Sequence, residues 1–293
     1  MTQCAKALRD VLPVLASMSL FAAGCQFRVN PDFVTQSADL APTDDLASVY
    51  DLSTATDLGT SGPPPSADLS SPCTRVIESF AADASTRWTV MGDATLDPSH
   101  GAVQLTSLGF NVAGSAFYDR ALPGGSFDAT FTFRIADGAG ADGLAFVFAN
   151  AASAGALTPF GNGALNAGYG VGYLGMDGFA VELDTFMNLG NGDPNGNHVS
   201  LVRTSDGTHL LSSGTMNQSL RATASRVAHI RFNGVHLLVE IDGGKTIDAD
   251  LPSGLKLPAG SLFFGFTAAS SAVNDHHAVS DLTLILGPAA TCF

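Results

Sequence analysis

Glu182 and Asp184 stand two residues apart in a run, Gly178–Val202, that reads GFAVELDTFMNLGNGDPNGNHVSLV. If Phe179–Asn188 is a β-strand, side chains alternate between its faces, so Glu182, Asp184, Phe186 and Asn188 share one. Like charges this close repel, and burying either of them unpaired is costly, so something positive is expected between them. Asp193 and His198 follow in a loop rich in Gly, Asn and Pro that is able to fold back over that face. Carboxylate, amide and carbonyl oxygens suit a hard cation such as Ca²⁺, and the imidazole suits a transition metal. Taken alone, the same residues also read as a solvated acidic strand end followed by a polar turn.

The elements around this run are strands. From residue 74 to 293, short apolar runs alternate with Gly, Asn, Asp and Pro. Ser126–Ile135 (SFDATFTFRI) alternates strictly, and Gly143–Ala149 (GLAFVFA) is continuously apolar. Ala228–Ile241 reads as two strands around Asn233-Gly234, a strong short-range hairpin signal. Ser261–Ala268 and Asp281–Leu286 supply further strands, and no window holds a helical apolar stripe over three turns. The expectation is an all-β fold, an antiparallel β-sandwich of many strands. The 45% hydrophobic content of the 293 residues is ample for a core and excludes global disorder. With 13 Lys+Arg against 27 Asp+Glu, the net charge is −14. The chain lacks the basic footprint that grips phosphate backbones, which excludes nucleic acid as a partner.

Residues 1–25 (MTQCAKALRDVLPVLASMSLFAAGC) begin weakly basic with Lys6 and Arg9, and an apolar stretch runs from Val11 to Ala23. It is shorter than the ~20 residues that a membrane span needs and fits the core of a signal peptide. Ala22-Ala23-Gly24-Cys25 resembles the lipobox of bacterial lipoproteins, with Ala22 where that motif usually has Leu. The resemblance implies lipidation of Cys25 and an exported, membrane-anchored lipoprotein at the bacterial cell envelope, with plain secretion as the alternative. Residues 26–72 hold seven Asp and one Arg. Asp-Leu recurs there at Asp39-Leu40, Asp45-Leu46, Asp51-Leu52 and Asp57-Leu58, and the run Gly62-Pro63-Pro64-Pro65 follows. This composition cannot offset its ordering entropy and is expected to form a disordered, self-repelling linker. Cys4 falls in the removed peptide. Cys73 and Cys292, left as a pair, read as a disulfide clamping the ends of one domain, 73–293, with two buried free thiols as the alternative.

The Gly178–Val202 run resembles the metal-binding signature of the L-type (legume-type) lectin family, V-x-V-E-F-D-T-F-x-N, then D-P, then H-[IV]. Here it stands as Ala180-Val181-Glu182-Leu183-Asp184-Thr185-Phe186-Met187-Asn188, Asp193-Pro194 and His198-Val199. Ala141-Asp142-Gly143-Leu144-Ala145-Phe146 is similar to the family's A-D-G-L-A-F, Gly172-Tyr173-Leu174-Gly175 to its G-Y-L-G, and Phe264-Gly265-Phe266-Thr267-Ala268 to its late V-G-F-S-A strand. The likeness runs in order over nearly all of 76–287. It implies a concanavalin-like jelly roll whose metals order a sugar-binding loop. Glu182, Asp184, Asp193 and His198 would hold a transition metal, typically Mn²⁺, and Asp184, Asp193, Asn188 and the Phe186 carbonyl would hold Ca²⁺. Sugar would be read by Asp142, Asn188 and the Gly172 N–H, with Phe186 packing on the ring, and the Ala141–Asp142 peptide would be cis. The segment that sets monosaccharide preference in the family is here Ala269–His277 (ASSAVNDHH), unlike the plant pattern, so specificity does not carry over.

Other readings fall on their missing parts. Gly170-Val171-Gly172-Tyr173-Leu174-Gly175 matches G-x-G-x-x-G, but strand follows where a dinucleotide fold needs helix. Glu182-x-Asp184 is similar to the start of the E-x-D-x-[x]-E run of sandwich-fold glucanases. The second Glu should stand at 186 or 187, and those residues are Phe186 and Met187, so the acid/base is lacking and no enzyme is expected. His276-His277 beside Asp275 reads as a solvated pair in a polar loop. The reading is an exported lectin whose partners are glycans, with oligomer formation left open. The alternative is a surface adhesion or structural module of the same fold that does not bind sugar.

Overall fold

The computed structural model describes residues 73–152, 170–257 and 260–293; the expected signal peptide with Cys25 and the expected linker, 26–72, lie outside the described residues. Within them the strands run β1 (Thr74–Glu78), β2 (Trp88–Gly92), β3 (Thr95–Asp97), β4 (Ala102–Thr106), β5 (Val112–Tyr118), β6 (Leu122–Pro123), β7 (Phe127–Ala136) and β8 (Gly143–Asn150). They continue with β9 (Gly178–Asp184), β10 (His198–Arg203), β11 (Thr208–Ser212), β12 (Arg226–Phe232), β13 (His236–Ile241), β14 (Gly244–Asp250), β15 (Ser261–Ser270) and β16 (His276–Leu286). A single-turn helix, α1 (Ala289–Cys292), ends the chain. Among the described residues no helix is long and apolar enough to cross a membrane.

The strands form two antiparallel sheets. One runs β14-β13-β12-β7-β16-β4-β3 with β1 also on β16, the other β11-β10-β9-β8-β15-β5-β2 with β6 also on β15. The strict alternation of β7 turns Phe127, Ala129, Phe131, Phe133 and Ile135 inward. They meet Phe146 and Phe148 of β8 and Phe264 and Phe266 of β15 from the facing sheet. Ring centroids of Phe131 and Phe266 lie 4.9 Å apart, edge to face, and those of Phe127 and Phe148 lie 5.2 Å apart. Each such ring contributes roughly 1.5–3 kcal/mol by leaving water. Asn233-Gly234 makes the expected hairpin: the Asn233 side-chain oxygen accepts from the N–H groups of Val235 and His236, and Gly234 takes a φ of 104°.

The second sheet is covered on both sides. Its outer face carries Ala145, Val147 and Ala149 of β8, Ala180 of β9 and Val202 of β10, capped by Val171, Tyr173 and Met176. That double burial explains why β8 reads as a continuous apolar run rather than an alternating one. The ends of the domain are joined as expected: Cys73 and Cys292 form a disulfide with Cα atoms 5.6 Å apart, next to the β1–β16 pairing of Thr74 with Leu286.

His276-His277 departs from its expected solvation. The pair opens β16, and the register that sets His277 opposite Thr106 of β4 turns its imidazole fully inward. Its Nδ1 lies 2.6 Å from the Thr106 hydroxyl, and burial pushes its pKa down to about 3, so the ring is neutral. His276 is half-buried, with Nε2 3.0 Å from the Gln104 side-chain oxygen.

Candidate functional site

Strand β9 lies between β8 and β10, with Asp184 opposite His198 and Gly143, and Glu182 opposite Ser200 and Ala145. Residues directly opposite each other share a face. Glu182, Asp184 and His198 therefore project from the outer face of the second sheet, while Val181 and Leu183 enter the core between the sheets. The strand is shorter than the sequence suggests and ends at Asp184. The Asp184 carboxylate accepts the N–H of Phe186 at 2.6 Å, which turns the chain out of the ladder. Phe186 and Asn188 thus reach the site from a loop and not by strand alternation. That loop folds back as expected: the Asp193 carboxylate accepts the Asn188 N–H at 2.5 Å.

Asp184, Asp193 and His198 bring ligand atoms within 4.8 Å of one another, and so do Glu182, His198 and His209. The His198 Nδ1 lies 2.7 Å from the carbonyl oxygen of Asn195, so the ring holds its proton there and presents a bare Nε2 to the carboxylates. Two residues around this cluster have no site role in the sequence analysis, where Tyr173 stands only as part of the G-Y-L-G match and His209 in no motif. Tyr173, from the segment capping the sheet, donates its hydroxyl to Glu182 Oε1 at 3.0 Å. His209 enters from β11, through a pairing with β10 that is interrupted by a bulge at Leu201/Val202. Alternation along a single strand predicts neither, because both arrive from other segments.

The carboxylates here are unlike the protein's other buried acids. Glu78 is buried but accepts the Phe80 N–H, the Trp88 indole N–H and the Arg87 guanidinium. Asp128 pairs with His229 and Arg231. Among the described residues, Asp142, Glu182, Asp184 and Asp193 form no ion pair with Lys or Arg, and Glu182 Oε2, His198 Nε2, Asp142 Oδ2 and Asn188 Oδ1 are buried without a hydrogen bond. Burial, reinforced by the neighbouring carboxylates, holds Glu182 and Asp184 far above the usual carboxylate range. Burial also raises Asp142 to about 6 and lowers His198 and His209. A divalent cation would supply the missing partner, and the donors sort accordingly: imidazole and carboxylate toward a transition metal, carboxylate and amide oxygens toward Ca²⁺.

The remaining predicted residues border this cluster. The Ala141–Asp142 peptide is cis, as the resemblance implies. Asp142 donates its N–H to Ala269 of β15, and its carbonyl accepts from both the N–H and the hydroxyl of Thr185, which ties the 141–143 turn to the end of β9. Gly172, at φ 78°, is seated against the same strand, where a Cβ would stand 3.0 Å from the Ala268 carbonyl oxygen. Only a residue without a side chain lets the backbone approach so closely in that conformation. Ser271 reaches Asp142 Oδ1 at 3.4 Å, and the turn that holds it is anchored by buried Asp275, which pairs with Arg221 at 2.5 Å. The start of the Ala269–His277 segment is therefore hydrogen-bonded directly to Asp142. Phe186 is half-buried.

These shifts fix the pH behaviour of the metal-free protein. In the unfolded chain the site carboxylates titrate near pH 4. Held higher in the fold, Glu182 and Asp184 keep protons that the unfolded chain has released, so their contribution is greatest in acid and is lost as pH rises. The lowered imidazoles act oppositely, but only below about pH 6.5. Chelated protein should therefore lose on the order of 1–2 kcal/mol of unfolding free energy per pH unit between about pH 7 and 8. Denaturant unfolding in EDTA measures this directly, and a stability that rose over that interval would contradict it.

A sequence profile of the legume lectin domain matches residues 76–284. A lectin from Dioclea lasiophylla is 32% identical over 176 residues, a match that covers 50% of this chain and 58% of that relative. Peanut lectin, solved with a nine-residue peptide, superposes with a TM-score of 0.59 at 23% identity, covering 73% of this chain and 97% of that one. A Lotus tetragonolobus seed lectin superposes at 0.60 and 17% identity over 73% of this chain and 99% of that one, and a Bauhinia forficata lectin in complex with GalNAc at 0.55 and 18% over 73% and 99%. At these identities the structures speak to the fold, the two-sheet sandwich described above. The chain belongs to the legume lectin domain family, whose members are carbohydrate-binding proteins and not enzymes.

Proposed function

We propose that this protein is an exported, lipid-anchored lectin that binds glycans at the cleft formed by Asp142, Gly172, Phe186 and Asn188. The observation that carries the reading is the juxtaposition of unpartnered buried acceptors, Asp142 Oδ2 and Asn188 Oδ1, with the carboxylate–imidazole cluster. When bound, Ca²⁺ and a transition-metal ion such as Mn²⁺ would neutralise Glu182, Asp184 and Asp193 and fix the loop that carries Phe186 and Asn188. Asp142 then accepts from sugar hydroxyls, the Asn188 amide and the Gly172 N–H donate, and the Phe186 ring covers the apolar face of the sugar. Pairs of vicinal hydroxyls suit this set because acceptor and donors converge from different segments. The Ala269–His277 segment, hydrogen-bonded to Asp142, would select among sugars. The signal peptide 1–25, lipidation at Cys25 and the acidic linker 26–72 would hold the domain, 73–293, off the membrane of a bacterial cell envelope.

GalNAc, galactose and mannose, named in the complexes of structurally similar proteins, are the first sugars to test. The full chain, supplied with Ca²⁺ and Mn²⁺, is applied to a glycan array beside Asp142→Ala. The wild type is expected to bind a defined set of glycans, and the variant to lose at least about tenfold in affinity, since a lost hydrogen bond to a charged group is worth roughly 1.5–3 kcal/mol. A silent array with both metals bound would overturn the lectin reading in favour of an adhesion or structural module.

A further inference from the structure

We infer that His209 is a direct ligand of the transition metal, so that the site joins two imidazoles, His198 and His209, to its carboxylates and selects a zinc-class ion over Mn²⁺. The inference rests on the reading of this cluster as a metal site and goes beyond it by adding a ligand and changing the preferred metal. His209 Nε2 stands 3.6 Å from Glu182 Oε2 and 3.6 Å from Asp193 Oδ1. That is too long for a hydrogen bond to either. It is close to the ~3.4 Å that separates two ligand atoms on one tetrahedral ion with bonds of about 2.1 Å. Glu182 Oε2 is buried with no hydrogen bond, and the bare Nε2 of His198 lies in the same cluster. The other ring nitrogen of His209, Nδ1, is buried without a hydrogen bond. Three ligand atoms that make no hydrogen bond at these distances thus converge from β9, β10 and β11.

The surrounding shell suits that role. Tyr173 occupies the other Glu182 oxygen, which leaves Oε2 for an ion, and the Asn195 carbonyl fixes the His198 tautomer. Oxygen-rich sets suit Mn²⁺, whereas each added imidazole shifts preference toward Zn²⁺, Co²⁺, Ni²⁺ or Cu²⁺. His209 is half-buried on β11, the edge strand of its sheet, so replacing it leaves the core between the sheets intact.

The test compares the full chain with His209→Gln after chelation and return to Zn²⁺, Mn²⁺ or Co²⁺ singly. Affinities come from competition with a chromophoric chelator, and the Co²⁺ complex is read by its visible absorption. The variant is expected to lose on the order of a hundredfold in Zn²⁺ affinity and less than about tenfold for Mn²⁺, so its Zn²⁺/Mn²⁺ preference falls at least tenfold, and its Co²⁺ band should weaken or move. Equal melting temperatures of the two proteins in EDTA would show that folding is not the cause. An unchanged Zn²⁺/Mn²⁺ ratio and Co²⁺ spectrum, with wild-type binding intact, would overturn His209 as a ligand while leaving the metal site standing. If the wild type takes up none of the three ions, the metal-site reading itself fails.

Discussion

Removing divalent cations from the full chain with EDTA is expected to abolish glycan binding and to lower the melting temperature by roughly 10 °C. The metal-free site confronts Glu182, Asp184 and Asp193 with one another inside a buried cluster, and the described residues offer no Lys or Arg to offset them. The folded chain then holds protons on Glu182 and Asp184 or opens the loop that carries Asn188. Either response removes the geometry in which Asp142, Gly172 and Asn188 would face one sugar in the proposed mode. A ligand present at a thousand times its dissociation constant stabilises a fold by about 4 kcal/mol. For a domain of this size that corresponds to the stated shift in melting temperature. Elemental analysis before and after chelation counts the ions, and a melting scan with a glycan-binding assay reads the consequence. Asp184→Asn should reproduce the loss without EDTA, because Asp184 is a ligand in the proposed metal set and its carboxylate closes the turn to Phe186. Protein that keeps its melting point and its glycan binding after verified metal removal would refute the mechanism.

Cutting the Cys73–Cys292 link should be at least as damaging to stability. The bridge spans 219 residues, and in the chain-entropy account closing so long a loop restricts the unfolded chain by about 4–5 kcal/mol. Cys73→Ser with Cys292→Ser is expected to lose that amount in urea unfolding and to melt roughly 10–15 °C lower. The loss should be selective in place as well as size. The bridge sits beside Thr74 and Leu286, so hydrogen exchange should speed first in β1 and in the part of β16 that pairs with it. The Phe127–Phe148 core has no covalent tie to the bridge and should open only with global unfolding. A variant that unfolds at the wild-type urea concentration would show that the pairing of β1 with β16 alone secures the terminus.

Much of this protein was legible along the chain. The alternation of Phe127, Phe131 and Phe133 foretold β7, the apolar run from Gly143 foretold β8, and Asn233-Gly234 foretold the β12–β13 hairpin. Each is a local property, set by side chains that alternate with period two or by a turn that only certain residues tolerate. Glu182 and Asp184 were likewise identified as a same-face pair needing a positive partner. Beyond Asp184 local inference broke down, because a side-chain hydrogen bond to the Phe186 N–H competes with the strand ladder and the alternation rule ignores it. At His277 local composition misleads for a similar reason. Its neighbours are polar, but registry with Thr106 outweighs local composition.

Residue order alone implies a sandwich of antiparallel strands, two carboxylates on one face, and the motifs that tie the chain to legume-type lectins. Which further groups meet those carboxylates depends on how distant segments pack. Tyr173 arrives from the segment that caps the sheet, His209 across a bulged pairing two strands away, and Asp142 through a turn bound to β15 and Thr185. The period of a strand fixes where its own side chains point. Which side chains from distant segments stand opposite is set by strand order and register, and those emerge only when the two sheets close over their shared core.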